Sequence, residues 1–165
     1  MKPNFLLPVF IIALSGCASV PSALDAWKGE DFARASDAET VEIAAACLRH
    51  NFTGRRVADK PSVIYLDVKN ADWRAVVGRA KLEFTNILFR GDQDHLWSDV
   101  GFRDRETGLR AVMWSIEVKR LGSEQAQVFE SFNRGTNLGS SSNHLILEKR
   151  DGAWKVTNEA QGPTS

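Results

Sequence analysis

Cysteine is scarce in this chain: 165 residues hold two, Cys17 and Cys47, too few for a disulfide framework or a thiolate zinc site. Neither sign of charge is in excess, with 21 Lys and Arg against 21 Asp and Glu, so there is no basic footprint for nucleic acid and no polybasic stretch for anionic lipid. No long apolar run exists either. The longest is Phe5 to Leu14, ten residues, where a membrane-spanning helix takes about 20. Histidine is rare, and His50 and His144 have no Cys or Glu at ligand spacing. The segment Gly91-Asp92-Gln93-Asp94-His95 offers carboxylates but lacks the central Gly and closing Glu of a calcium-binding loop. No metal and no cofactor are expected. What remains is a chain with 43% apolar residues, enough for one domain with its own core.

The first 17 residues have their own logic. Lys2 and the terminal amine precede the apolar run, and the small residues Ser15 and Gly16 follow it. Leu14-Ser15-Gly16-Cys17 resembles a bacterial lipobox. The resemblance implies that residues 1–16 are a lipoprotein signal peptide, that Cys17 becomes the first residue of the mature chain, and that it carries the lipid, including an acyl chain such as palmitate. Two or three chains, at about 0.8 kcal/mol per buried CH₂, hold a protein to a bilayer almost permanently. The partner so implied is the membrane, through Cys17. Ala18 stands where an inner-membrane retention signal would place Asp, so the expected location is the envelope, on the outer membrane facing the periplasm. With Cys17 spent on lipid, Cys47 has no intrachain partner. Of the 165 residues, the 149 that remain after residue 16 lose only Lys2 among the charges, which leaves 20 basic against 21 acidic.

Residues 17–35 read as the lipidated Cys and a tether. Pro21, Gly29, Ser19 and Ser22 interrupt any periodicity, and a flexible segment of this length spans about 20 Å. Trp27 and Phe32 suit packing along the domain better than a pure linker. A single α+β domain is expected over 36–160, followed by a disordered tail, 161–165. Ser36-Asp37-Ala38-Glu39 has capping-box spacing, which starts a helix whose face is Val41, Ala44, Ala45 and Leu48, widened by Ile43 and Cys47. Cys47 is then a small buried hydrophobe. After Pro61, Ser62 to Val68 is a strand, and Asp72 to Lys81 a short helix capped by Asn70 or Asp72. The period then changes to two. Strands are expected over Thr85–Phe89, His95–Arg103, Leu109–Arg120, Gln125–Asn133, Asn143–Arg150 and Trp154–Thr157, with Asp151-Gly152 as a type I′ hairpin turn. Trp114 and Trp154 belong in the core, whereas Trp27, Trp73 and Trp97 are undetermined.

The order helix, strand, short helix, long strands, with the hairpin Arg-Asp-Arg-Glu-Thr-Gly and the closing Leu-Glu-Lys-Arg-Asp-Gly-Ala-Trp-Lys-Val, is similar to small exported bacterial domains with a cystatin-like or nuclear-transport-factor-2-like (NTF2-like) roll. The resemblance implies two helices packed on a curved antiparallel sheet, often with no assigned activity. The function expected is that of a membrane-anchored lipoprotein with a non-catalytic ligand- or protein-binding domain. An alternative is a small isomerase- or dehydratase-like pocket enzyme. Alternation along a 95–103 strand would put His95, Trp97, Asp99 and Arg103 on one face, with Asp99 as base or as the residue orienting His95; the opposite face (Leu96, Val100, Phe102) is the more apolar, which favours solvent exposure of those polar groups. A second alternative is an immunity-type or structural envelope lipoprotein with a protein partner, for which the 103–108 turn and the polar stretch 133–143 are the contact sites to expect.

Overall fold

The computed structural model describes residues 36–53, 63–82, 87–91, 96–98, 101–135 and 139–162. The stretch read as a signal peptide, Cys17, the stretch read as a tether with Trp27 and Phe32, and residues 163–165 lie outside them. The chain is α+β. Ser36 Oγ accepts from Glu39 N–H at 3.3 Å, which gives helix α1 (Asp37–Thr53) the first half of the expected capping box. Asp72 caps α2 (Trp73–Ala80) by accepting from Arg74 N–H at 3.0 Å. Both helices lie on one face of a six-stranded sheet, in the order β2 (Leu88–Arg90), β1 (Val63–Val68), β5 (Ala111–Leu121), β6 (Gln125–Asn133), β7 (Ser140–Arg150), β8 (Ala153–Gln161). A separate pair joins β3 (Leu96–Ser98) to β4 (Phe102–Asp104).

The sheet is mixed rather than antiparallel throughout. β1 runs parallel to both β2 and β5, while β5 to β8 form the expected antiparallel meander. The reason is the connection: β1 reaches β2 through α2, and a helical crossover returns the chain in the same direction. Hairpin turns cannot. Asp151 and Gly152 join β7 to β8 with φ of 54° and 75°, as a type I′ turn requires.

Three expected boundaries move. The strand read over Thr85–Phe89 is the shorter β2, with residues 83–86 outside the described set. The strand read from Asn143 starts at Ser140, because the run of serines pairs with β6, Ser142 opposite Ser131. β8 continues past Thr157 to Gln161, and Gly162 N–H donates to Ser142 O at 2.8 Å, so the ordered chain enters the stretch read as a tail.

The core lies between helices and sheet. Ile43, Ala44, Ala45, Cys47 and Leu48 are fully buried, over alternate residues of the strands: Trp114 and Ile116, Ala126 and Val128, Leu145 and Leu147. Alanines on α1 let its backbone approach closely, and burial extends around the helix because α2 packs beside it. Phe52, Phe89, Trp114 and Phe132 form an aromatic chain, with centroids 4.8 to 6.0 Å apart between neighbours. Trp114 and Trp154 are buried as expected. Trp73 is half-buried against Gly91, where a Cβ would fall 2.0 Å from the indole Nε1. The side chain of Trp97 lies outside the described set.

Edge strand β8 carries a register shift opposite Ile146/Leu147, and beyond it Glu159 shares the helix-covered face with its partner Leu145. A bulge and an inward-facing charge both discourage pairing with another strand.

Candidate functional site

The single strand expected over 95–103 is two strands, β3 and β4. Strands β3 and β4 fold back on each other, with Trp97 opposite Arg103 and Ser98 opposite Phe102, and Gly101 sits at φ 146°. Arg103 is therefore a cross-strand partner of Trp97 instead of its fellow along one strand. His95 and Asp99 lie outside the described residues. Arg103 is exposed and donates from Nη1 to Gly108 O at 3.1 Å.

Two other carboxylates, Asp104 and Glu130, are completely buried. Asp104 closes β4 on the sheet face away from the helices. Its Oδ1 accepts from Tyr65 Oη at 2.5 Å; its Oδ2 accepts from Thr107 N at 2.9 Å and Thr107 Oγ1 at 2.6 Å. Arg90 Nε lies 3.0 Å from Oδ1, off the line of its N–H, so that contact is ionic in character. Burial pushes the Asp104 carboxyl up, but hydrogen bonds from Thr107 and Tyr65 and the Arg90 charge outweigh it and hold the group below its ordinary value. Arg90 also pairs with Glu106; burial lowers its guanidinium, yet Glu106 and Asp104 together raise it above its usual value. Gly108 N–H donates to Asp104 O and Asp104 N–H to Leu109 O. The cluster thus nails down the turn 104–109 from beneath.

Glu130, on β6, occupies an inward position between Val128 and Phe132. Asn51 Nδ2 donates to both of its oxygens at 3.1 Å and to Cys47 O at 3.0 Å. Beside it, desolvation first and the Glu130 charge second push the Cys47 thiol well up, which leaves it protonated and unreactive, as expected of a buried hydrophobe. On the residue before Asn51, His50 Nε2 lies 3.3 Å from Glu159 Oε2. Consecutive residues of the last helical turn are thereby tied to two strands.

Chemically, the Asp104 arrangement fixes a surface turn: its carboxylate is ionised and its oxygens are engaged with hydroxyls, an amide and a guanidinium. Among the described residues no group of three or more His, Cys, Asp or Glu could hold a metal ion, and no helix is long and apolar enough to cross a membrane. Sequence reading missed Tyr65, Arg90, Asp104, Asn51 and Glu130. A signal existed for one of them: Glu130 interrupts the apolar alternation Ala126, Val128, Phe132, where an acid is out of place unless bonded. No family model, curated protein or solved structure matches this chain.

Proposed function

We propose that this chain is a lipid-anchored protein of the bacterial envelope, on the outer membrane facing the periplasm, whose α+β domain acts by binding rather than by catalysis. The observation that carries the reading is Leu14-Ser15-Gly16-Cys17 at the end of a ten-residue apolar run. The domain begins regular structure at Asp37, which leaves a segment of tether length after Cys17. Two helices covering one face of a sheet that ends in an antiparallel meander are in keeping with a cystatin-like or NTF2-like roll. Binding is favoured over acid–base chemistry because the polar groups of Asp104 and Asn51 are spent inside the protein, on a turn and on a helix end. Metabolic labelling with a clickable fatty acid tests the anchor: the wild-type chain takes up label and Cys17→Ser does not. Equal labelling of the two refutes lipidation at Cys17.

A further inference from the structure

The turn after β4 reads in sequence as a run of mixed charge, Arg103-Asp104-Arg105-Glu106-Thr107-Gly108-Leu109-Arg110, with three arginines against two acids. Folding sharpens the excess. Asp104 is drawn under the turn with no solvent exposure, and Glu106 is taken by Arg90. Arg103, Arg105 and Arg110 are left exposed, and among the described residues none has a carboxylate within ion-pair distance. Elsewhere the usual arrangement is the opposite: Arg79 is 2.6 Å from Glu42, Lys69 2.6 Å from Glu117 and Arg150 2.7 Å from Glu148.

Arg103 and Arg110 face each other in an antiparallel bridge. Like charges directly opposite in such a pair destabilise it, and among the described residues only the Gly108 carbonyl, which accepts from Arg103, offsets them. An external anion would offset them too. Beside them Leu109 is 46% exposed and Leu88 41%, the only exposed large hydrophobic residues among those described. Leu88 lies at the same end of the sheet, since its partner Val63 also pairs with Ala111 and donates to Arg110 O. Free phosphate would use the arginines and leave the leucines wet. A bilayer surface uses both, with anionic headgroups between the guanidiniums and the leucines at the acyl boundary.

We infer that the 103–110 turn, with Arg103, Arg105, Arg110, Leu109 and neighbouring Leu88, docks the domain on a membrane surface bearing anionic phospholipid. The inference deepens the lipid-anchored reading, because the anchor would keep this face within reach of a bilayer.

The experiment uses the full lipidated protein carrying Leu109→Cys, labelled with a polarity-sensitive dye, in vesicles of phosphatidylcholine alone or with phosphatidylglycerol added. Cys47 is buried and stays unlabelled; Lys155→Cys, on exposed β8, is the control site. The dye at position 109 should shift to the blue only with phosphatidylglycerol, lose the shift in high salt, and stay unshifted at position 155. Arg105→Gln with Arg110→Gln, whose side chains make no hydrogen bond or ion pair among the described residues, should weaken docking about 25-fold, roughly fivefold for each arginine. Identical emission in both vesicles, or docking indifferent to salt and to the double substitution, overturns the inference. Co-flotation with phosphatidylcholine vesicles reads the anchor separately: protein that floats without a dye shift keeps the anchor and loses the docking face. Protein that does not float with phosphatidylcholine yet shifts with phosphatidylglycerol loses the anchor and keeps the face.

Discussion

Asp104 and Glu130 are both carboxylates without solvent exposure, on opposite faces of one sheet, and the protein handles them by different means. Asp104 is surrounded by Tyr65, Thr107 and Arg90, so a full counter-charge and strong donors stabilise its ionised form. Glu130 lies in the helix–sheet core and takes the Asn51 amide across both oxygens. A charge near the surface can be answered by a half-buried guanidinium whose other side reaches Glu106. The lesson is functional as well. The Asp104 arrangement turns a run of three arginines and two acids into a more basic surface, whereas the Glu130 arrangement stays internal and ties α1 to the sheet.

The comparison breaks most sharply at Asp104. Asp104→Ala leaves Tyr65, Thr107 and Arg90 without their shared acceptor, and should lower unfolding stability by about 3 kcal/mol, the low end for a broken buried pair because Arg90 keeps Glu106. Asn51→Leu keeps the volume and removes the amide from Glu130, with an expected loss of about 2 kcal/mol. Urea denaturation of both variants checks the order; a larger loss in Asn51→Leu would reverse the ranking of the two sites.

Acid sharpens the same contrast. The Asp104 carboxyl titrates below its unfolded value of about 3.9. Its contribution is therefore fully present above that value and disappears as pH falls through the lower, folded one. Asp104→Asn should be less stable than wild type at pH 7, and the gap should close as pH drops below about 4, measured from the urea midpoint at each pH. A gap that stays constant would mean the ionised form is not the one the cluster favours.

The smallest effect lies far from both carboxylates. Ser36→Ala removes the acceptor for Glu39 N–H and should cost about 1 kcal/mol; because α1 carries Asn51 at its other end, hydrogen exchange should rise in the first turn and leave the Asn51 end protected.

Much of the fold was legible. Ser36 announced α1, the alternation from Ala111 onward marked the meander, and Asp151-Gly152 marked its last turn, because caps, pleat period and turn conformations are local properties. The 95–103 region was not legible. Its residues alternate well enough for one strand, and only the fold-back at Gly101, with Gly135 so close that a Cβ on it would lie 2.8 Å from the Gly101 Cα, divides it into β3 and β4. The parallel placement of β1 between β2 and β5 was likewise hidden, since pairing partners are chosen by long-range contacts that leave no periodicity in the chain.

By itself the sequence determined the class of the domain, its helix starts and hairpin turns, and the chemical character of the segment ending at Cys17, since each depends on residues close together in the chain. Tertiary structure decided which charges face water. Burial of Asp104 and capture of Glu106 by Arg90 required side chains from β1 and β2 to meet a turn many residues away. That meeting leaves Arg103, Arg105 and Arg110 exposed without an ion pair among the described residues.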